Sequence, residues 1–382
     1  MGAITRIQSF LRFLYATVYG PFAVSHFALD TFLYTLPWAR PVKGWSFHQA
    51  VRVRVVKLAL LIWSTARSVK KSSLRPGAER NRFEVLSPMP VDHYKGPSSD
   101  TLIEPAPVGV TWTPARPPPR SLVRSTMTVV LHFHGGAYVI GNGRDEDTGF
   151  LAGTFLRHMG CTHVCTPQYR LASGENGRFP APLQDALTVY LALLREKGIP
   201  AEQIILSGDS AGANLALGLL RYIHEHGKEQ AIPAPGAVAL WSPWVDIDAA
   251  LTTDMRKSPN YKTDYLSRAF GRWGAMAISG SKAVDPADPY LSPLHHPFKL
   301  GEAIPMFIHE GEREVLSDDI RLFSQRHRDA GWAVHLVTSP NAPHDIILLG
   351  PRIGFAAEAE QAAREAGKFF AGVGGMQLRN AD

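Results

Sequence analysis

Ile204-Ile205-Leu206-Ser207-Gly208-Asp209-Ser210-Ala211-Gly212-Ala213-Asn214-Leu215-Ala216-Leu217 carries an apolar run into a turn and directly out into a helical pattern. Ile204 to Leu206 reads as a short buried strand, and Ala211 to His224 as the helix that follows. Between them lies G-x-S-x-G. A turn this tight favours glycine two positions before and two after the serine, and it lifts the serine hydroxyl into the open. The helix beginning at Ala211 also directs free N–H groups towards any developing oxyanion. Ser210 is therefore the candidate nucleophile, with Gly208, Asp209 and Gly212 shaping the turn around it.

The pattern is rhythmic on both sides of this stretch. Val129 to Phe133, Val164 to Tyr169, Gly236 to Trp241, Pro305 to His309 and Ala333 to Val337 read as strands. Ala181 to Lys197, Val315 to Ala330 and Arg352 to Phe370 have helical periodicity. Strands alternating with helices predict an α/β fold, a mostly parallel sheet covered on both faces. Residues 126–382 form this expected catalytic core. Residues 76–125 read as a connecting segment rich in proline, including Pro117, Pro118 and Pro119, with one short strand from Val108 to Trp112. Residues 1–75 are helix-like and rich in aromatic residues, a cap or a membrane-contacting segment.

A second glycine-bearing strand end lies upstream, at His134-Gly135-Gly136-Ala137. Acyl transfer through a tetrahedral intermediate needs preorganised donors where the carbonyl oxygen gains charge. Bare backbone at Gly135 and Gly136 lets a carbonyl approach their N–H groups, and Ala211 would supply a third. A serine hydroxyl also needs an imidazole to take its proton. Of 15 histidines, His344 lies in a loop just after the strand AVHLVTS, where a loop-borne base belongs. His295 and His296 sit in a Pro-flanked loop and read as surface residues; His309 reads as buried structure and His132 as packing.

HGGA together with GDSAG resembles the hormone-sensitive-lipase family of α/β-hydrolases, marked by HGGG and GDSAG. Tyr169-Arg170-Leu171-Ala172, then Phe179-Pro180-Ala181-Pro182-Leu183-Gln184-Asp185-Ala186, resemble a further family stretch, with a few polar residues inserted. Ser242-Pro243-Trp244-Val245-Asp246 and Asp288-Pro289-Tyr290-Leu291-Ser292-Pro293-Leu294 resemble two more. The resemblance implies an α/β-hydrolase fold and a serine hydrolase that cleaves carboxylic esters through an acyl-enzyme. In Gly311-Glu312-Arg313-Glu314-Val315-Leu316-Ser317-Asp318, it places Glu314 in the slot of the orienting acid, usually aspartate. Asp318 is the reserve acid. Ala137 replaces the third glycine, which narrows the approach without removing an N–H. An amidase or lactonase would use the same residues, and a non-catalytic small-molecule receptor on this fold is the alternative of another class.

The rest of the composition mostly excludes. Among 382 residues, 45% are hydrophobic and 19% charged, the balance of a globular chain. The net charge of +6 includes no dense basic block interleaved with aromatics, which argues against nucleic acid. Cys161 and Cys165 are too few for a disulfide framework. No spacing suggests a metal site or a cofactor, and no glycosylation sequon is present. Phe13 to Leu29 is uncharged but broken by Gly20, Pro21 and His26, borderline for a span; Val55 to Ser64 is too short. Both fit a lid with peripheral membrane contact on an intracellular protein that takes a small ester substrate.

Overall fold

The computed structural model describes residues 21–67, 73–123, 127–281, 283–300 and 304–373. Eight strands make one sheet: β1 (Phe83–Leu86), β2 (Val108–Thr113), β3 (Val129–Phe133), β4 (His163–Gln168), β5 (Ile204–Asp209), β6 (Ala237–Trp241), β7 (Pro305–Gly311) and β8 (Ala333–Ser339). Their order is β1-β2-β4-β3-β5-β6-β7-β8. β2 pairs antiparallel with both β1 and β4, and the other neighbours are parallel. β3, β5 and β6 are buried at every position. That is why they open on apolar runs rather than alternating: a parallel strand covered on both faces has no solvent side to alternate towards. β8 lies at the edge and does alternate.

The helices are α1 (Phe47–Ala66), α2 (Asp145–His158), α3 (Ala181–Arg195), α4 (Ala211–Gln230), α5 (Arg268–Ile278), α6 (Ser317–Asp329), α7 (Ile346–Ile353) and α8 (Ala356–Gly372), with a four-residue turn at Ala249–Thr252. α2, α7 and α8 pack together, as do α3 and α4. Three of these features were not expected. β1 lies in a stretch that reads as loop, and it is held by Glu84, which accepts from Trp112 Nε1 at 3.2 Å and pairs with Lys197. α2 has no side-chain N-cap; Asp145, Glu146 and Asp147 in its first turn complement the helix dipole instead. The helix predicted from Arg352 to Phe370 is two, because Gly354 at φ +87° ends α7 with a left-handed cap.

Residues 21–33 are helical, and α1 follows from a capping box in which Ser46 and Gln49 bond each other's backbone N–H groups. α1 is seated on the core by polar contacts as well as packing. Trp45 Nε1 donates to the Asn341 carbonyl at 2.7 Å, and Gln49 Nε2 to that of Gly354 at 2.9 Å. The first part of the Phe13 to Leu29 run lies outside the described residues. Among those described, no helix is long and apolar enough to cross a membrane.

A polar chain runs through the core beneath the C-terminal end of β5. Trp241 Nε1 donates to Ser207 Oγ at 3.2 Å, and Ser207 Oγ lies 2.9 Å from His132 Nδ1. Asp209 Oδ1 accepts from His132 Nε2 at 2.9 Å, and the neutral ring is then bare at Nδ1, which accepts the Ser207 hydroxyl proton. Burial pulls the His132 pKa down to about 3, so this imidazole is neutral. His132, read as packing, is thus a hydrogen-bonded support for Asp209. The carboxyl groups of Asp209 and Asp345 share this buried space, where burial disfavours a charge on either. Burial, opposed by the neighbouring Asp345 and Gly135, pushes Asp209 up to about 7. Burial, then the charge of Asp209, raises Asp345 well above the carboxylate range.

A carboxyl group whose pKa is higher folded than unfolded contributes stability that is complete below the ordinary carboxylate range and is lost as pH rises through the folded value. An amide at position 345 removes one buried charge permanently and still caps α7, whose Leu348 N–H bonds Asp345 Oδ1. Asp345→Asn should therefore raise the melting temperature at pH 8 by roughly 2–4 °C, the response to about 1 kcal/mol. The gain should shrink as pH falls towards 5. A gain that grows on acidification would contradict the raised carboxyl pKa values; thermal melts across that pH range decide it.

Candidate active site

Ser210 stands on the turn between β5 and α4 at φ 49°, ψ −115°, a conformation rarely held by residues with a side chain. Close packing enforces it. A Cβ on Gly212 would lie 1.9 Å from the Phe133 carbonyl oxygen, and one on Gly208 2.3 Å from the Gly212 backbone. The Ser210 N–H donates to the Trp241 carbonyl at 2.9 Å, while its own carbonyl accepts from Asn214 and Trp244.

His344 Nε2 lies 2.9 Å from Ser210 Oγ, and His344 Nδ1 lies 2.6 Å from Glu314 Oε2. All three residues are buried. The other Glu314 oxygen, Oε1, accepts the Gly311 N–H at 3.0 Å. This second bond folds the side chain back within its own turn, and so absorbs the methylene by which glutamate exceeds aspartate. Asp318, the reserve acid, is exposed in the first turn of α6 and bonds no part of His344. Burial alone disfavours the imidazolium. The hydrogen bond and charge of Glu314, with Asp264 and Asp345 behind it, outweigh burial and raise the His344 pKa above the ordinary imidazole value.

The HGGA segment follows β3. Gly136, Ala137 and Tyr138 all have positive φ, which coils the backbone tightly; a Cβ on Gly136 would meet the Ile140 carbonyl at 2.2 Å. His134 holds the segment from below. Its Nδ1 donates to the Gly135 carbonyl at 2.7 Å, and its ring stacks on Tyr169, whose hydroxyl bonds the His134 carbonyl at 2.6 Å. The Gly135 N–H faces the Asp209 carboxyl group. Among the described residues, the N–H groups of Gly136, Ala137 and Ala211 bond no backbone carbonyl. The methyl of Ala137 is matched across the site by Gly274 of α5, where a Cβ would lie 2.7 Å from it.

The remaining motifs turn out to be braces. Arg170 pairs with the buried Asp185, joining the two halves of one motif. Ser292 Oγ, from the second proline-serine loop, accepts the Ile247 N–H just beyond Asp246. His309 is buried and bonds Ser339, whereas His295 is exposed and bonds Asp246. Asp264 was not foreseen. Its carboxylate accepts the Val315 N–H at 2.7 Å and the His344 N–H at 3.4 Å, holding the acid and base loops together. Asn260 similarly bonds the Glu314 carbonyl. Neither belongs to a pattern visible in the chain. An open cavity of about 450 Å³ lies to one side, between the polar insertion at Gly177 and Arg178 and the residues Trp273 and Met276 of α5.

The family model for the α/β-hydrolase fold matches residues 130–348. An acetyl-hydrolase of Streptomyces hygroscopicus is 32% identical over 218 residues, covering 56% of this chain and 67% of that protein. An esterase of Acinetobacter venetianus is 30% identical over 211 residues, covering 55% of this chain and 65% of its own length. The chain thus spans about two thirds of each of these relatives. Among solved structures, a hormone-sensitive lipase from a metagenome library superposes with a TM-score of 0.54 at 25% identity, over 69% of this chain and 82% of that one. Sheet order, elbow and matched family model agree, and the chain belongs to the α/β-hydrolase fold family, with a hormone-sensitive lipase among its structural neighbours.

Proposed function

We propose that this protein hydrolyses carboxylic esters through an acyl-enzyme, with Ser210 as nucleophile, His344 as base then acid, and Glu314 as the group that orients His344. The observation that carries the reading is the unbroken path from Ser210 Oγ through His344 to Glu314, at 2.9 and 2.6 Å. As Ser210 attacks, its proton passes to Nε2, and the imidazolium formed is stabilised by the carboxylate on Nδ1. The N–H groups of Gly136 and Ala211, joined by that of Ala137, then bind the oxyanion. Gly135 is the less favoured donor, because its N–H faces Asp209. The relatives' names, acetyl-hydrolase and esterase, support ester cleavage and a short acyl group. A receptor has no use for a base poised on a serine, so the assembled triad weighs against that alternative.

Turnover of p-nitrophenyl esters from acetate to octanoate, together with fluorophosphonate labelling, tests the proposal. Wild type should turn over the short esters and label at Ser210; an unlabelled, inactive wild type would end the reading. Ser210→Ala should lower kcat on the order of 10⁶-fold. Glu314→Gln should cost roughly 10⁴-fold and Asp318→Asn almost nothing. A reversal of those two would move the acid to Asp318.

Activity requires neutral His344, so kcat/KM should rise with pH through an acid limb above about 6.5, the value of free imidazole. Glu314→Gln removes the main influence that raises His344 and should shift that limb to lower pH. Gly274→Ala should lower both kcat and the melting temperature, because a Cβ there would lie 2.5 Å from the buried Ala137 carbonyl oxygen. Steady-state kinetics across pH, with thermal melts, read both effects.

A further inference from the structure

Charge is divided unevenly along the chain. Residues 1–78 hold eleven Lys and Arg against a single acid, Asp30, a formal charge of +10; the remainder is −4. Asp30 is itself neutralised, by Arg54 at 2.6 Å, and this ion pair ties the helix at residues 21–33 to α1. Among the described residues, the same segment exposes most of the large apolar side chains that reach solvent. Phe32 is 70% exposed and Trp38 78% exposed, with Leu29 and Leu36 beside them in sequence. On α1, Arg52, Val55, Ile62 and Trp63 are exposed at helical spacing and form one outward stripe, while Lys43 is exposed just before the helix. Isolated surface apolar residues need no explanation, but aromatic and aliphatic groups concentrated in a segment of one charge sign do. Aromatic rings and basic residues on one element are the composition that rests at the boundary of headgroup and acyl chain.

We infer that the outward face of residues 29–63 docks on an anionic lipid bilayer. Apolar groups from both parts, Phe32 and Trp38 in one and Ile62 and Trp63 in the other, enter the interface, and Lys43 and Arg52 meet the lipid phosphates and carboxylates. The acid-poor segment fits an anionic partner and repels a cationic one. The face is mechanically joined to the site: Lys57, on α1, reaches inward to donate to the carbonyls of Tyr261 and Asp264, and the Asp264 carboxylate holds the His344 loop. Docking would thus set the hydrolytic centre at the bilayer surface, where apolar esters concentrate.

Flotation of the full chain with phosphatidylcholine vesicles, with and without about a third phosphatidylserine, tests the inference. Wild type should float with the anionic vesicles only, and added salt should release it. Lys43→Glu with Arg52→Glu should lower the partition coefficient at least about 25-fold, about fivefold for each basic residue removed. Phe32→Ser with Trp63→Ser should abolish flotation. Hydrolysis of soluble p-nitrophenyl acetate should be unchanged in both pairs, so loss of docking and loss of the ester reading are told apart. Equal flotation with neutral vesicles, no flotation of wild type, or variants that float like wild type would each overturn the proposal. Self-association removed by Phe32→Ser with Trp63→Ser, without vesicle binding, would assign the face to a second copy and overturn it too.

Discussion

At one point in this molecule three backbones meet with no room for a side chain: Gly208, Gly212 and the carbonyl of Phe133. β3 and β5 are neighbours in the sheet, so the end of one strand presses on the first turn of the helix that leaves the other. That contact holds Ser210 in its unusual conformation and sets the HGGA backbone beside it. A methyl group at either glycine would push the serine away from its base and the amides away from the serine together. The strain at Ser210 is sustained by the burial of β3, β5 and β6 around it, where local relaxation has nowhere to go.

Around this turn the protein gathers more carboxyl groups than the proposed chemistry uses. Asp209, Asp264, Glu314 and Asp345 come from four different segments and are all buried. Glu314 faces His344, Asp264 is occupied by backbone N–H groups, and burial raises the pKa of Asp209 and Asp345 towards their neutral forms. Each arrangement limits how much uncompensated negative charge the interior carries. What reaches the imidazole is a field that favours its protonated form, the form it takes once the serine has given up its hydrogen.

The elements most legible in the sequence were those whose local pattern and global role coincide. β2 was read from Val108 and the structure begins it there; β3 runs from Val129 to Phe133 as read, because a strand buried on both faces advertises itself. GDSAG and His344 were legible because tight turns and proton transfer demand particular residue types. Phe83–Leu86 was not, since a four-residue edge strand draws its stability from Trp112 and Lys197, which are distant in the chain. Asp264, Asn260 and Gly274 were invisible for the same reason: their importance is tertiary. Gly274 in particular answers Ala137, and nothing near it in sequence announces the pairing.

Lys57 bears on where the molecule divides. Its half-buried ammonium bonds the carbonyls of Tyr261 and Asp264, and burial, opposed by the charge of Asp264, lowers its pKa to about 8. A separable module keeps its charged contacts to itself; α1 instead anchors one inside its neighbour. Asp30 in turn pairs with Arg54 of α1, so the residues before α1 share this attachment. Exchange of N-terminal segments between relatives at residue 75 would fail, because the incoming helix would have to bring its own lysine to the same place.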